Sequence, residues 1–301
     1  MRNENNNFTS RTPLRQQWQA LLFLLPLLLF VSALILVPVL GTFLDSLFRD
    51  VTFMPRRFIG PENYRALLAD PAFWSSLRFT LLFVLVSVPL ELGIGLLIAL
   101  VLAEAFPGRG LLRAVVLIPW AIPAAVSGRL FELIYNYSYG AANWLLQRLH
   151  LSGAPVNWLG SDAGAFAAVV VADAWKSTPF AALLLLAGLS AIPEDLFRQA
   201  RVDRAGLLRR FFGITLPLLR PVLVVTLLFR TIDALRVFDV VFVLTGGGPG
   251  GATTPLSLYG FRYYASGDFG YGAAVSVVLF LIALALAVAF VRLGGFGREL
   301  R

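Results

Sequence analysis

Apolar residues run along this chain in long blocks, broken by short polar stretches, with none of the strict alternation that marks a half-buried strand. Six blocks, at 20–44, 79–103, 114–135, 163–192, 221–245 and 271–291, are long and apolar enough to matter. A bilayer core of about 30 Å takes about 20 apolar residues in helical form, against about 10 for a barrel strand. Every lipid-exposed backbone group must be paired within its own segment, so blocks of this length predict helices. The fold expected is all-α, a polytopic membrane protein with six transmembrane helices. The domains expected are an N-terminal tail at 1–18, a membrane domain at 19–293 and a C-terminal tail at 294–301.

Composition supports that reading. Of 301 residues, 58% are hydrophobic and 14% charged, and the mean hydropathy is +0.78; a soluble chain carries about 25% charged residues. There is no cysteine, which excludes a disulfide framework, a thiolate nucleophile and a cysteine metal site. The first block follows Arg2, Arg11 and Arg15 but is longer than a signal-peptide core and lacks a small-residue cleavage site, so it reads as a retained signal anchor. The Asn-rich stretch 3–7 predicts a disordered tail.

The formal charge of +8 raises the question of a polyanion partner. With six spans and a cytoplasmic N-terminus, the inner loops and tails hold 14 basic residues against six acidic, while the outer loops hold six of each and the spans five of each. The whole excess lies on one side. It is an orientation signal that places both termini in the cytoplasm, and no nucleic-acid role is needed to explain it.

Between the fourth and fifth spans, 193–217 is longer than a connection requires. Pro193 suits a first helical position and Glu194 and Asp195 the positive end of a helix dipole. Gly206 allows a turn before a second short helix, and Leu216-Pro217 leads into the next span. The first helix puts Leu196, Phe197 and Ala200 on one face and its arginines elsewhere, which suits either an anionic lipid surface or a soluble partner.

Its residues resemble the EAA loop of permease subunits of ATP-binding cassette importers, aromatic-E-A-A-x-x-D-G-A followed by F-x-x-I-T-L-P. Phe197, Ala200, Asp203, Ala205, Phe211 and Ile214-Thr-Leu-Pro217 fall in register without a gap over 21 residues. The family glutamate and glycine fall at Arg198 and Arg204, and Gln199 replaces the first alanine. Gly60-Pro-Glu-Asn-Tyr, Asp70-Pro-Ala-Phe-Trp, Phe238-Asp239 and Leu244-Thr-Gly-Gly-Gly-Pro249 are similar to the maltose/glycerol-phosphate branch, in the first of its paired permeases. The resemblance implies the type I importer permease fold in a bacterial inner membrane. It also implies a second permease, two cytosolic ATPase subunits that bind ATP and Mg2+, an extracytoplasmic solute-binding protein and a sugar substrate, of di- or oligosaccharide size. ATPase coupling would fall to Phe197, Arg198, Ala200, Asp203, Arg204, Ala205, Gly206 and Leu207.

Charges at mid-membrane are costly and mark cavities or paired contacts. Arg129 with Glu132, Asp173 with Lys176, Arg230 with Asp233, and Arg236 with Asp239 are each three residues apart, neighbours on a helix surface. Three residues of helix turn through about 300°, so the fifth-span series should drift around the helix and cannot all face one pore. Arg230 and Asp233 are then the cavity candidates, and Asp239 should meet the partner permease or the external loops. The resemblance to maltose-type permeases implies substrate contacts at Asp173, Lys176, Ser177 and Phe180, and at Arg230, Ala234 and Val237. Carboxylate, ammonium and guanidinium groups beside an aromatic ring suit a polyhydroxylated ligand; Lys176 and Arg230 acting together would suit a glycerol-phosphate-type solute.

Other chemistry finds little support. Gly246–Gly251 lacks the Lys-Ser/Thr of a phosphate loop, so the chain is expected to be no enzyme and to hold no cofactor. His150 has no neighbouring ligand for a metal, and no nucleophile-base pair is apparent. A secondary transporter often shows two matching halves, which are not found here. A channel or passive scaffold would make transport independent of ATP.

Overall fold

The computed structural model describes residues 14–293, so the tail at 294–301 and the Asn-rich stretch lie outside the described residues. Helix α1 (Leu14–Val31) passes through a π-helical turn at Ser32–Leu36 into α2 (Val37–Asp45). A two-stranded hairpin, β1 (Phe48–Arg49) with β2 (Arg57–Phe58), leads to α3 (Glu62–Ala69) and α4 (Pro71–Ala103). Then come α5 (Arg109–Ala121), α6 (Ala124–Ile134), α7 (Ala141–Arg148) and α8 (Asp162–Ser190). The loop pair α9 (Glu194–Val202) and α10 (Leu207–Arg210) passes through a second π-helical turn at Phe211–Thr215 into α11 (Leu216–Leu235). The described residues end with α12 (Asp239–Leu244), α13 (Leu256–Ala265) and α14 (Phe269–Leu293). Among the described residues five segments are long and apolar enough to cross a membrane, and the bent pair α5–α6 passes the same test when its two helices are taken together.

Prolines explain the irregularities. Each π turn stands just before a proline, Pro38 and Pro217, whose missing N–H and ring disturb the regular hydrogen-bond ladder. The shifted pattern restores it: Val37 N–H donates to Ser32 and Leu216 N–H to Phe211, five residues back. Between α5 and α6 the axis bends by 92°, because Ile122 precedes Pro123 and both take extended backbone. The expected straight span at 114–135 is thus two helices. The expected continuous fifth span also breaks, at Arg236–Phe238, between α11 and α12.

Helix α8 is the axis of the bundle. Ala165, Ala172 and Ala181 on it are 0% exposed, and small side chains let backbones meet closely. A Cβ on Gly95 of α4 would stand 3.1 Å from both Ala181 Cβ and Ala182 N. One core cluster joins Phe79, Phe83, Phe131, Val169, Ala234 and Val241 from α4, α6, α8, α11 and α12. The apolar face of α1 and α2, by contrast, is unburied from Leu22 to Asp45.

At the N-terminal end of α4 the hairpin, α3, α13 and α14 form a polar-linked platform. Asn63 donates its amide to the carbonyls of Ser46 (2.8 Å) and Phe48 (2.9 Å). Asp70 caps α4 by accepting from Ala72 N–H at 2.8 Å, while its other oxygen accepts the hydroxyls of Tyr259 (2.5 Å), Tyr263 (3.4 Å) and Tyr271 (3.4 Å). The Tyr259 hydroxyl bond holds the Asp70 carboxyl below its ordinary value of 3.8, against partial desolvation. Burial and then Asp70 push the Tyr259 hydroxyl upward, so it stays a donor. The folded carboxyl is the more acidic, so its stabilisation is full above pH 3.8 and is lost as pH falls through the folded value. Asp70→Asn, which keeps the cap, should lower the melting temperature at pH 7 and flatten its decline below pH 4, as read by thermal unfolding in detergent.

Candidate functional site

At the centre of the bundle Arg230 of α11 is buried, with 3% of its side chain exposed, among three carboxylates. Its Nε donates to Glu91 Oε2 on α4 at 2.6 Å, its Nη1 to Asp233 Oδ2 at 2.6 Å, and its Nη2 to Asp173 Oδ2 on α8 at 3.4 Å. Ser177, one turn along α8, donates to Asp173 Oδ1 at 3.4 Å, and Arg236 donates to Asp233 Oδ1 at 3.3 Å. Buried ions survive only when paired and hydrogen-bonded, and here three helices supply the pairs.

Beside this cluster lies an open cavity of about 660 Å3, within the ~300–1,000 Å3 of ordinary ligand sites. Seven of the eight residues expected at a substrate site line it: Asp173, Lys176, Ser177, Phe180, Arg230, Asp233 and Val237. Ala234 does not; it is 2% exposed and packs in the core cluster. Arg236 and Asp239 also line the cavity, contrary to the drift expected of one continuous helix. The break at Arg236–Phe238 resets the phase and turns both back toward Arg230.

Two expected intrahelical pairs are redrawn. Asp173 binds Arg230 rather than Lys176, and Arg236 binds Asp233 rather than Asp239; Arg129 with Glu132 (2.5 Å) and Arg230 with Asp233 are as expected. Lys176 Nζ instead donates to the carbonyl of Trp120 at 3.4 Å. That carbonyl lies in the last turn of α5, where the break removes its helical partner, and a cation is the favoured replacement there. The Trp120 ring stacks on Phe180 at 5.8 Å and 20°. Trp120, Phe229 and Phe238 are lining residues that sequence reasoning missed; the proline pair around Trp120 was the available signal.

The other expected site, at 193–217, forms a compact helix-turn-helix. Ala200 is buried, Phe197 half-buried, and Leu207, Leu208 and Val202 are largely exposed, as are Arg198, Asp203, Arg204 and Gly206. The turn is made at Arg204, with φ +53°, and not at Gly206, which has ordinary extended backbone. Ala205 N–H reaches back to Ala200 O (2.9 Å) and Arg204 N–H to Arg201 O (3.1 Å), the double bond of a Schellman helix end, whose left-handed position favours glycine. Arg198 pairs along its own helix with Glu194 and Asp195, at 3.3 Å and 3.6 Å.

Residues 91–293 match the model of the binding-protein-dependent transport system inner membrane component family. This chain belongs to that family. Among similar members, the trehalose/maltose transport system permease protein MalF of Thermococcus litoralis is 53% identical over 98% of this chain and all of its own length. The sulfoquinovosyl glycerol transport system permease protein SmoG of Agrobacterium fabrum is 42% identical over 91% of this chain and 89% of its own. The fold matches a bacterial ABC transporter involved in alginate import, with a TM-score of 0.80 at 22% identity over 93% of this chain and 96% of that one. The chain is therefore a multi-pass membrane protein and a transport component. Arg204 occupies the glycine place of the importer pattern, and the left-handed backbone gives the physical reason for that glycine. A non-glycine residue there costs about 1 kcal/mol, so Arg204→Gly should raise hydrogen-exchange protection of the Ala205 amide about fivefold.

Proposed function

We propose that this chain is the membrane-spanning permease subunit of an ATP-driven importer that takes a neutral di- or oligosaccharide from a solute-binding protein. The observation that carries this reading is the cavity's balance: Asp173, Asp233 and Asp239 stand against Lys176, Arg230 and Arg236, beside the stacked rings of Trp120 and Phe180. Hydroxyl groups can bond such paired ions without separating them, and a sugar's apolar face suits a flat ring wall. A phosphate would add negative charge to a cavity whose three cations are already matched by three carboxylates. The names of the trehalose/maltose and sulfoquinovosyl glycerol relatives support a carbohydrate class.

In proteoliposomes holding the complete complex, trehalose or maltose uptake should require ATP and the binding protein. Arg230→Ala should raise the half-saturating sugar concentration at least tenfold. Competition by glycerol phosphate in excess of either sugar would instead favour the anionic reading, for which Lys176 speaks: among the described residues it meets no carboxylate within 4 Å.

In this reading both termini are cytoplasmic, a second permease completes the pathway, and 193–217 docks on an ATPase that holds ATP and Mg2+. Support comes from the exposed Val202, Leu207 and Leu208 beside a charged helix, an apolar patch in a loop that needs only a few residues to connect its spans. Deleting 194–210 should leave membrane insertion intact and abolish co-purification of the ATPase; normal recovery of the ATPase would remove the docking role.

A further inference from the structure

Glu91 does not line the cavity, belongs to no loop or cap, and is 0% exposed, yet it makes one of the two shortest bonds to Arg230. Its other oxygen, Oε1, is buried without a hydrogen-bond partner, as are Ser87 Oγ one turn earlier on α4 and Thr178 Oγ1 on α8. A buried carboxylate with an orphaned oxygen is a poor device for stability, since an apolar side chain of the same volume often does as well or better. What this carboxylate does accomplish is geometric. The Arg230 side chain has several rotatable bonds, and the Glu91 bond to Nε fixes the plane of its guanidinium.

With Nε on Glu91, one N–H of Nη2 on Asp173 and one of Nη1 on Asp233, three of the five guanidinium N–H groups are engaged. The two left over belong to the Nη atoms, and Arg230 borders the cavity. We propose that Glu91 is a positioning residue, which holds Arg230 from behind so that its two spare N–H groups meet ligand hydroxyls in a fixed orientation. The inference rests on the sugar reading above. Without the anchor at Nε the guanidinium is free to turn onto Asp233 and Asp239, the exposed carboxylates of the cavity, and its spare donors are lost to the ligand.

The test is sugar uptake by the complete complex in proteoliposomes, with Glu91→Gln, Glu91→Asp, Arg230→Gln and the double variant Glu91→Gln/Arg230→Gln. Glu91→Gln should raise KM about tenfold, the weight of one charge-assisted hydrogen bond, with the maximal rate held within about twofold. Glu91→Asp, which keeps the charge one methylene short, should fall between it and the wild type. If Glu91 acts only through Arg230, the double variant should be no worse than Arg230→Gln alone. An unchanged KM in Glu91→Gln, multiplied KM effects in the double variant, or a fall in maximal rate at constant KM would overturn the proposal. Should Glu91→Gln fail to assemble, an assembled Glu91→Asp complex with wild-type KM overturns it equally. A wild-type complex that moves no sugar overturns the sugar reading itself, and does so before any variant is compared.

Discussion

An arginine taken out of water without partners costs several kcal/mol, and the interior of this bundle is organised around meeting that cost for Arg230. The three carboxylates come from α4, α8 and α11, so the cluster exists only when those helices hold one relative depth and rotation. Small residues make this possible. The contact of Gly95 with Ala181 and Ala182 and the buried alanines of α8 bring the backbones close enough for short acidic side chains to span the gap. In a lipid environment, where apolar burial between helices contributes little, such packing and polar pairing are the main sources of association. The cluster is thus as much a statement about helix register as about charge.

The cavity follows from where helices fail to continue. At Ile122–Pro123 the bend frees the Trp120 carbonyl, and Lys176 satisfies it from α8, so an ammonium group that composition places in a span becomes part of the wall. At Arg236–Phe238 the break redirects Arg236 and Asp239 toward Arg230. Both breaks expose backbone that lipid could not solvate, and both border the cavity, the setting in which irregular backbone is tolerated at membrane depth.

The long apolar blocks, the acid-led start of α9 and the proline at the start of α11 were legible in the sequence because each depends on local chemistry. Seven of the eight cavity residues expected there were also found, six of them through the resemblance to maltose-type permeases and Asp233 through its spacing from Arg230. The partners of the charged residues were not. Spacing of three along a helix proposes a neighbour on the same helix, but Asp173 and Glu91 both answer to Arg230, at sequence separations of 57 and 139. A same-helix pair and an interhelical pair leave the same trace in a sequence, since only the relative rotation of two helices decides between them. The expected phase of Asp239 does not hold for a related reason: it requires an unbroken helix, and no proline or glycine marks the break at Arg236–Phe238. The turn at Arg204 was misplaced onto Gly206 because glycine is the ordinary signal for a left-handed residue, and here a charged residue takes that backbone instead.

The arrangement also constrains how the loop and the cavity communicate. From Leu207 to Leu235 the chain is helical throughout, with a π-helical turn at Phe211–Thr215 as its one irregularity. Arg230 lies 23 residues beyond Leu207, about 35 Å at 1.5 Å per residue. On the other side, α8 carries Asp173 and ends at Ser190, four residues before α9 begins. A displacement of the helix-turn-helix therefore enters the cavity along two rods at once. The rods are joined inside by Arg230, so movement of one against the other must lengthen its bond to Asp173, already the longest of the three at 3.4 Å. The loop can shift both helices together at little cost, whereas sliding one past the other strains the buried ion cluster. The ion cluster accordingly opposes sliding of α8 past α11 and leaves their movement as a unit unopposed.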